Sequence, residues 1–149
     1  MNNNVLNELT IYDLNILFLE SKYKQVAPNT YGTYQYRAKL VNEYLGNTKI
    51  GDINLETIEG FDNYLNNEKK WEYSSLKSHD KSIDNTIKYL IMLLKYFQTL
   101  QIDSKIKNKK EGPFYNCYSI KEINELLLKL ESIRASNQLN KTLNIKLNN

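Results

Sequence analysis

The sequence contains little of what usually marks a metalloenzyme, a secreted protein or a membrane protein. It has one cysteine, Cys117, and one histidine, His79, among 149 residues. One cysteine excludes an internal disulfide, and one histidine leaves no His/Cys cluster for a metal and no Ser-His-Asp set for catalysis. The longest apolar run, Tyr89 to Leu94, is far shorter than the ~20 residues that span a bilayer. We therefore predict a cytoplasmic protein with no signal peptide, no cofactor, no metal, no membrane contact and no small-molecule substrate.

Glycine and proline are also scarce, with 5 and 2 residues. Because these residues interrupt helices most strongly, their scarcity favours an all-α fold. Apolar residues recur at helical spacing in four segments, approximately 11–22, 28–45, 55–67 and 83–101, and a polar stretch separates the last two. We interpret residues 8–103 as a four-helix bundle.

Two further segments follow the predicted bundle. Residues 104–118 are basic and contain a Gly-Pro pair, which indicates a linker. Ser119 and Glu122 then form a capping-box pattern, in which each side chain can bond to the backbone amide of the other. The helix that it predicts has one apolar face, formed by Ile120, Ile123, Leu127 and Leu130. We expect residues 119–149 to be an isolated helix and tail that must fold back on the bundle or find a partner chain.

The net charge of +3 averages over an uneven distribution. Residues 1–66 carry five basic and eight acidic side chains (5 − 8 = −3), and residues 67–149 carry fifteen and nine (15 − 9 = +6). The basic excess is either a phosphate-contacting surface or simply a solvated face. His79 is either an exposed loop residue or a phosphate contact. Trp71 either stacks on a base or fixes its loop to the bundle.

Several segments along the chain share their order and spacing with one known module. They are Pro28 to Tyr34, Val41 to Leu45, Ile53 to Ile58, Ser82 to Leu90, Leu94 to Phe97, and Tyr118 to Ile123. Together they resemble the N-terminal core-binding (SAM-like) domain of tyrosine recombinases, the phage-integrase family, over residues 8–133. The resemblance implies an all-α, four-helix orthogonal bundle, followed by the basic linker and one extra amphipathic helix that begins a catalytic domain.

The resemblance also implies a function, which is binding of double-stranded DNA during DNA integration and recombination. In the family, this bundle forms half of a clamp around DNA, and a second domain supplies an Arg-Lys-His-Arg set and a nucleophilic tyrosine. This sequence has two arginines, Arg37 and Arg134, and no histidine after His79. We therefore expect this chain to have no strand-cleaving activity. One alternative is an interaction or regulatory module of a mobile-element integrase, which would act through its C-terminal helix by self-association or by binding a full-length recombinase. Another is an inert helical bundle from a decayed mobile element.

By the same resemblance, the polar sides of the second and fourth helices face the DNA. We expect Arg37 to make a bidentate contact with a guanine or a phosphate and Asn85 to read an adenine. The other predicted contacts are Asn29, Thr33, Tyr36, Lys77, Lys81, Lys88, Lys95, Lys105, Lys107, Lys109 and Lys110. Among them, Lys77, Lys81 and the four lysines between positions 105 and 110 are expected to neutralise phosphates.

Overall fold

A computed structural model describes the backbone of residues 8–71, 76–107 and 120–147, and the side chains of residues 8–71, 80–101 and 123–137. Within these ranges the chain forms α1 (Ile11–Lys22), α2 (Pro28–Leu45), α3 (Leu55–Asn63), α4 (Leu76–Lys107) and α5 (Ile120–Leu147). A 3₁₀ turn over Ile50–Asp52 precedes α3, and a π-helical turn over Tyr64–Glu68 follows it. The β-structure in the described ranges is limited to one isolated bridge between Thr10 and Lys49. The prediction of an all-α bundle is confirmed.

Local sequence signals explain where the first three helices begin. Thr10 and Asp13 form a capping box at α1: the Thr10 hydroxyl accepts from the Asp13 amide at 3.1 Å, and the Asp13 carboxylate accepts from the Thr10 amide at 3.2 Å. Asn54 caps α3 by accepting from the Thr57 amide at 2.9 Å. Pro28 occupies the first position of α2, where its missing N–H costs no hydrogen bond.

Helix α4 lies at the centre of the bundle. Its apolar residues are buried over a wide face, and its aromatic side chains pack against α1 and α2. The ring of Phe18 lies 5.6 Å from that of Tyr89 and 5.5 Å from that of Tyr96, both measured between centroids. Tyr34 of α2 completes this cluster, with its centroid 5.8 Å from that of Phe18.

Helix α5 packs on the same core rather than standing apart. Its residues Ile123 and Leu130 are fully buried, and Leu127 is half-buried against the core. The helix runs antiparallel to α4 and also contacts α3, where the Lys129 ammonium lies 2.9 Å from a carboxylate oxygen of Glu59. Of the two outcomes expected for the C-terminal helix, the structure shows that it folds back on the bundle. That this helix begins a catalytic domain stays a prediction.

Helix α4 is longer than predicted at both ends. It starts at Leu76 rather than Ile83 and ends at Lys107 rather than Gln101, because residues 76–107 contain no glycine or proline to stop it. His79 therefore lies in a helix, not in a loop, and its side chain is outside the described residues. Residues 104–107 of the predicted linker belong to α4, whereas residues 108–118 lie outside the described ranges. None of the helices in the described part of the chain is both long and apolar enough to cross a membrane.

Candidate nucleic-acid interface

A row of lysines follows the exposed side of α4. Lys81, Lys88 and Lys95 are all exposed and recur at seven-residue intervals, which returns each to nearly the same side of the helix. Neighbouring members are separated by about 10 Å along the helix axis. Among the described residues, no carboxylate forms an ion pair with any of the three ammonium groups. We call Lys81, Lys88 and Lys95 the lysine row.

Several other cations in the described part of the chain are paired with carboxylates. Lys49 lies 2.7 Å from Glu8, and Lys69 lies 2.8 Å from Glu43. Lys69 contributes to the basic excess of residues 67–149, but only 13% of its side chain is exposed and its charge is offset by Glu43. Of its two lysines, the segment before α4 exposes Lys70 only, whereas α4 exposes the three lysines of the row.

Arg37 brings α2 together with the start of the lysine row. Its guanidinium donates to the backbone carbonyl oxygen of Ser82 at 3.4 Å and lies 5.2 Å from the ring centroid of Tyr36. Lys81 is the residue before Ser82, and Asn85 follows within one turn. The half-buried Arg37 thus joins the two helices that were predicted to face DNA. Its bidentate contact with a guanine or a phosphate stays a prediction.

The remaining predicted contacts fall into three groups. Asn29 and Thr33 are exposed on the first turns of α2, where the Thr33 hydroxyl donates to the Asn29 carbonyl oxygen at 3.1 Å. Asn85 is half-buried, and Lys95 lies about four turns beyond Lys81, well away from Arg37. The third group comprises lysines with undescribed side chains: Lys77, Lys105 and Lys107 on α4, and Lys109 and Lys110, whose backbone also lies outside the described residues.

Trp71 fixes its segment to the bundle. Its indole N–H donates to the Leu65 carbonyl oxygen at 3.0 Å, and its half-buried ring packs on the core. The Lys69 ammonium lies 5.0 Å from the ring centroid. These contacts favour the structural interpretation of Trp71 over base stacking.

Sequence patterns alone did not reveal the partnership between Asp84 and Arg134. Arg134 Nε donates to Asp84 Oδ1 at 2.8 Å, and an Arg134 terminal nitrogen donates to Oδ2 at 3.3 Å. This hydrogen bond raises the pKa of Arg134 above its ordinary value. Because 50 residues separate the two side chains, no local signal could reveal the pair before the antiparallel packing of α4 and α5 was known.

The geometry offers a basic, hydrogen-bonding surface rather than a reaction centre. Among the described residues, no group of three or more His, Cys, Asp or Glu side chains could hold a metal ion. A family model described as the phage integrase SAM-like domain matches residues 11–120, from the start of α1 to the first residue of α5. Neither the curated proteins nor the solved structures give a match.

Proposed function

Because this chain belongs to the phage integrase SAM-like domain family, and so has a role related to tyrosine recombinases, we propose that it is the DNA-binding module of a site-specific recombinase or integrase. It would act in DNA integration and recombination by clamping duplex DNA with the polar faces of α2 and α4. The family match covers 110 of the 149 residues (120 − 11 + 1 = 110) and includes both helices.

The lysine row is the observation that best supports this proposal. A duplex carries one negative charge per ~1.7 Å of its axis, and lysines that neutralise phosphates release the condensed counterions. The lysine row supplies three exposed ammonium groups for such phosphate contacts, and none of them has a carboxylate partner among the described residues. Asn29, Thr33 and Tyr36 add exposed hydrogen-bonding groups on the neighbouring helix.

We further propose that this chain by itself does not cleave DNA. The sequence holds only Arg37, Arg134 and His79 as candidates for the arginines and histidine of the family's catalytic set. The Arg37 guanidinium is bonded to the Ser82 carbonyl oxygen, and that of Arg134 to the Asp84 carboxylate, so both arginines support the packing of helices. Binding, rather than strand transfer, is the expected activity.

The interaction alternative is less well supported. It relied on the apolar face of the C-terminal helix, and Ile123 and Leu130 of that face are used inside the bundle. Self-association, or contact with a full-length recombinase, would therefore need a different surface. One apolar surface available for such a contact is the exposed side of α1, with Tyr12 and Ile16.

The proposal is tested by the salt dependence of duplex binding. We would titrate the full chain with a fluorescently labelled, random AT-rich duplex and follow the anisotropy at several salt concentrations. We expect a dissociation constant in the micromolar range or weaker, since binding of this kind rests mainly on phosphate contacts. The plot of log K against log salt should fall steeply, and absent binding at low salt would contradict the proposal.

A matched pair of variants identifies the surface. Lys88→Gln/Lys95→Gln removes two members of the lysine row, and Lys24→Gln/Lys70→Gln removes two exposed lysines outside α2 and α4 with the same change in charge. If both lysines of the row contact phosphates, the first variant should lower the salt slope by about 1.8, at about 0.9 per contact. The second variant should leave the slope nearly unchanged. Equal effects of the two variants would contradict the assignment of the surface to α4.

A further inference from the structure

Asp84 is the acidic side chain that interrupts the lysine row. It follows Lys81 by three residues and precedes Lys88 by four, so it neighbours both on the helix surface. A carboxylate at this place would ordinarily attract Lys88 into an intrahelical pair and repel an approaching phosphate. In the structure, Lys81 and Lys88 form no ion pair with a described carboxylate, and Asp84 pairs with Arg134 of α5 instead.

Arg134 of α5 binds the Asp84 carboxylate. The guanidinium meets the two carboxylate oxygens of Asp84 at 2.8 and 3.3 Å, a two-point arrangement that fixes both groups. The pair is partly shielded from solvent, with 21% of the Arg134 side chain and 27% of the Asp84 side chain exposed. A second carboxylate, that of Glu131 on the same helix, lies 3.7 Å from the Arg134 guanidinium.

We propose that Arg134 is a positioning residue for the DNA surface: by binding Asp84, it keeps the lysine row available to phosphates and so makes DNA affinity depend on the docking of α5. The inference rests on the proposed function. The inference goes beyond the proposed function because it gives α5 a part in DNA binding without any contact between α5 and DNA. Loss of the guanidinium should let Asp84 pair with Lys88 and make the net charge of the surface more negative by one unit.

The test compares Arg134→Gln with the double variant Asp84→Asn/Arg134→Gln in the anisotropy titration. We expect Arg134→Gln to weaken duplex binding about two- to fivefold, the size of one exposed charge interaction. The double variant should regain the wild-type affinity, because it also removes the carboxylate. Asp84→Asn alone should bind at least as well as the wild type. Circular dichroism at the titration temperature verifies that each variant is folded.

Two results would overturn the inference. One is wild-type affinity in a folded Arg134→Gln variant, and the other is equally weak binding by Arg134→Gln and the double variant, which would indicate that Arg134 acts only through helix packing. If Arg134→Gln does not fold, the affinity of Asp84→Asn tests the inference instead. Weaker binding by Asp84→Asn than by the wild type would contradict it. Failure of the proposed function is distinct, because the wild type itself would then not bind at low salt.

Discussion

The phenolic hydroxyl of Tyr89 donates a hydrogen bond of 2.7 Å to Oδ1 of Asn15, joining α4 to α1 across 74 positions of the sequence. Asn15 in turn donates from Nδ2 to Oδ1 of Asn42 on α2 at 2.8 Å. Asn15 and Tyr89 are both buried, so the three side chains form a polar link between the helices within the core. The link orients α2 and α4, the two helices of the candidate DNA surface.

Removing the Tyr89 hydroxyl should destabilise the bundle. In Tyr89→Phe, Oδ1 of the buried Asn15 loses its donor, and an unsatisfied buried polar group costs about 1–3 kcal/mol. Tyr96→Phe is the matched control, because the half-buried Tyr96 hydroxyl makes only a long hydrogen bond of 3.4 Å to the Leu17 carbonyl oxygen. Urea unfolding of both variants provides the measurement. Equal losses of unfolding free energy would contradict the special role of the link.

The same tyrosine predicts how stability changes at alkaline pH. Burial, with a smaller contribution from Tyr34, raises the pKa of Tyr89 far above its ordinary value. The folded state therefore holds this proton more tightly than the unfolded state, whose tyrosine pKa is about 10. The stabilisation is complete below about pH 10 and is lost above it, at up to ~1.4 kcal/mol per pH unit. In urea unfolding between about pH 9 and pH 11, Tyr89→Phe should lose stability less steeply than the wild type. Parallel stability profiles would show that titration of Tyr89 does not cause the loss.

Two leucines of α5 separate the packed side of the helix from its solvent side. Leu130 is fully buried and Leu128 is 69% exposed, although they stand two residues apart on one helix. Leu130→Ala should cost about 2–5 kcal/mol of unfolding free energy, and Leu128→Ala should change it by less than about 0.5 kcal/mol. Thermal or urea unfolding compares the two variants. A small effect of Leu130→Ala would mean that α5 does not share the core.

Gly60 lies in α3 against the ring of Tyr44. A Cβ atom at position 60 would stand 2.6 Å from the Tyr44 hydroxyl oxygen, and Tyr44 is itself stacked against Phe61 and Tyr64 with centroids 5.9 and 5.1 Å away. Alanine normally stabilises a helix interior by up to ~1 kcal/mol relative to glycine, but here the clash opposes that gain.

The clash should disappear when the hydroxyl is removed. We expect Gly60→Ala to be more favourable in the Tyr44→Phe background than in the wild type, by about 1 kcal/mol or more. A double-mutant cycle in urea unfolding measures this difference. Additive effects would show that the Tyr44 ring moves away without cost.

Much of the fold could be predicted because its signals are local. Helical periodicity in α1, α2 and α3, the proline at the start of α2, and the capping residue Asn54 are each contained within a few residues of sequence. The length of α4 is underestimated from the sequence because its first turns are polar, and a polar helix has no apolar period to detect. The docking of α5 could not be decided from its apolar face alone, which suits a bundle and a partner equally.

The candidate site was predictable in composition rather than in arrangement. The lysines and asparagines of α2 and α4 could be named from the sequence, but the pairing of Lys69 with Glu43 and the hold of Arg134 on Asp84 depend on tertiary contacts. Such contacts decide which cations remain available to a ligand. The burial of Asn15 could not be predicted either, because asparagine is usually exposed and its partners Tyr89 and Asn42 are distant in sequence.

The most direct test of the account is an NMR titration of the isotopically labelled full chain with a short DNA duplex. We predict that amide shifts change along the polar faces of residues 29–37 and 81–95, and that these changes shrink as salt is added. Changes confined to the exposed side of α1 around Tyr12 and Ile16, or to α3, would contradict it. The absence of any change at low salt would contradict DNA binding itself.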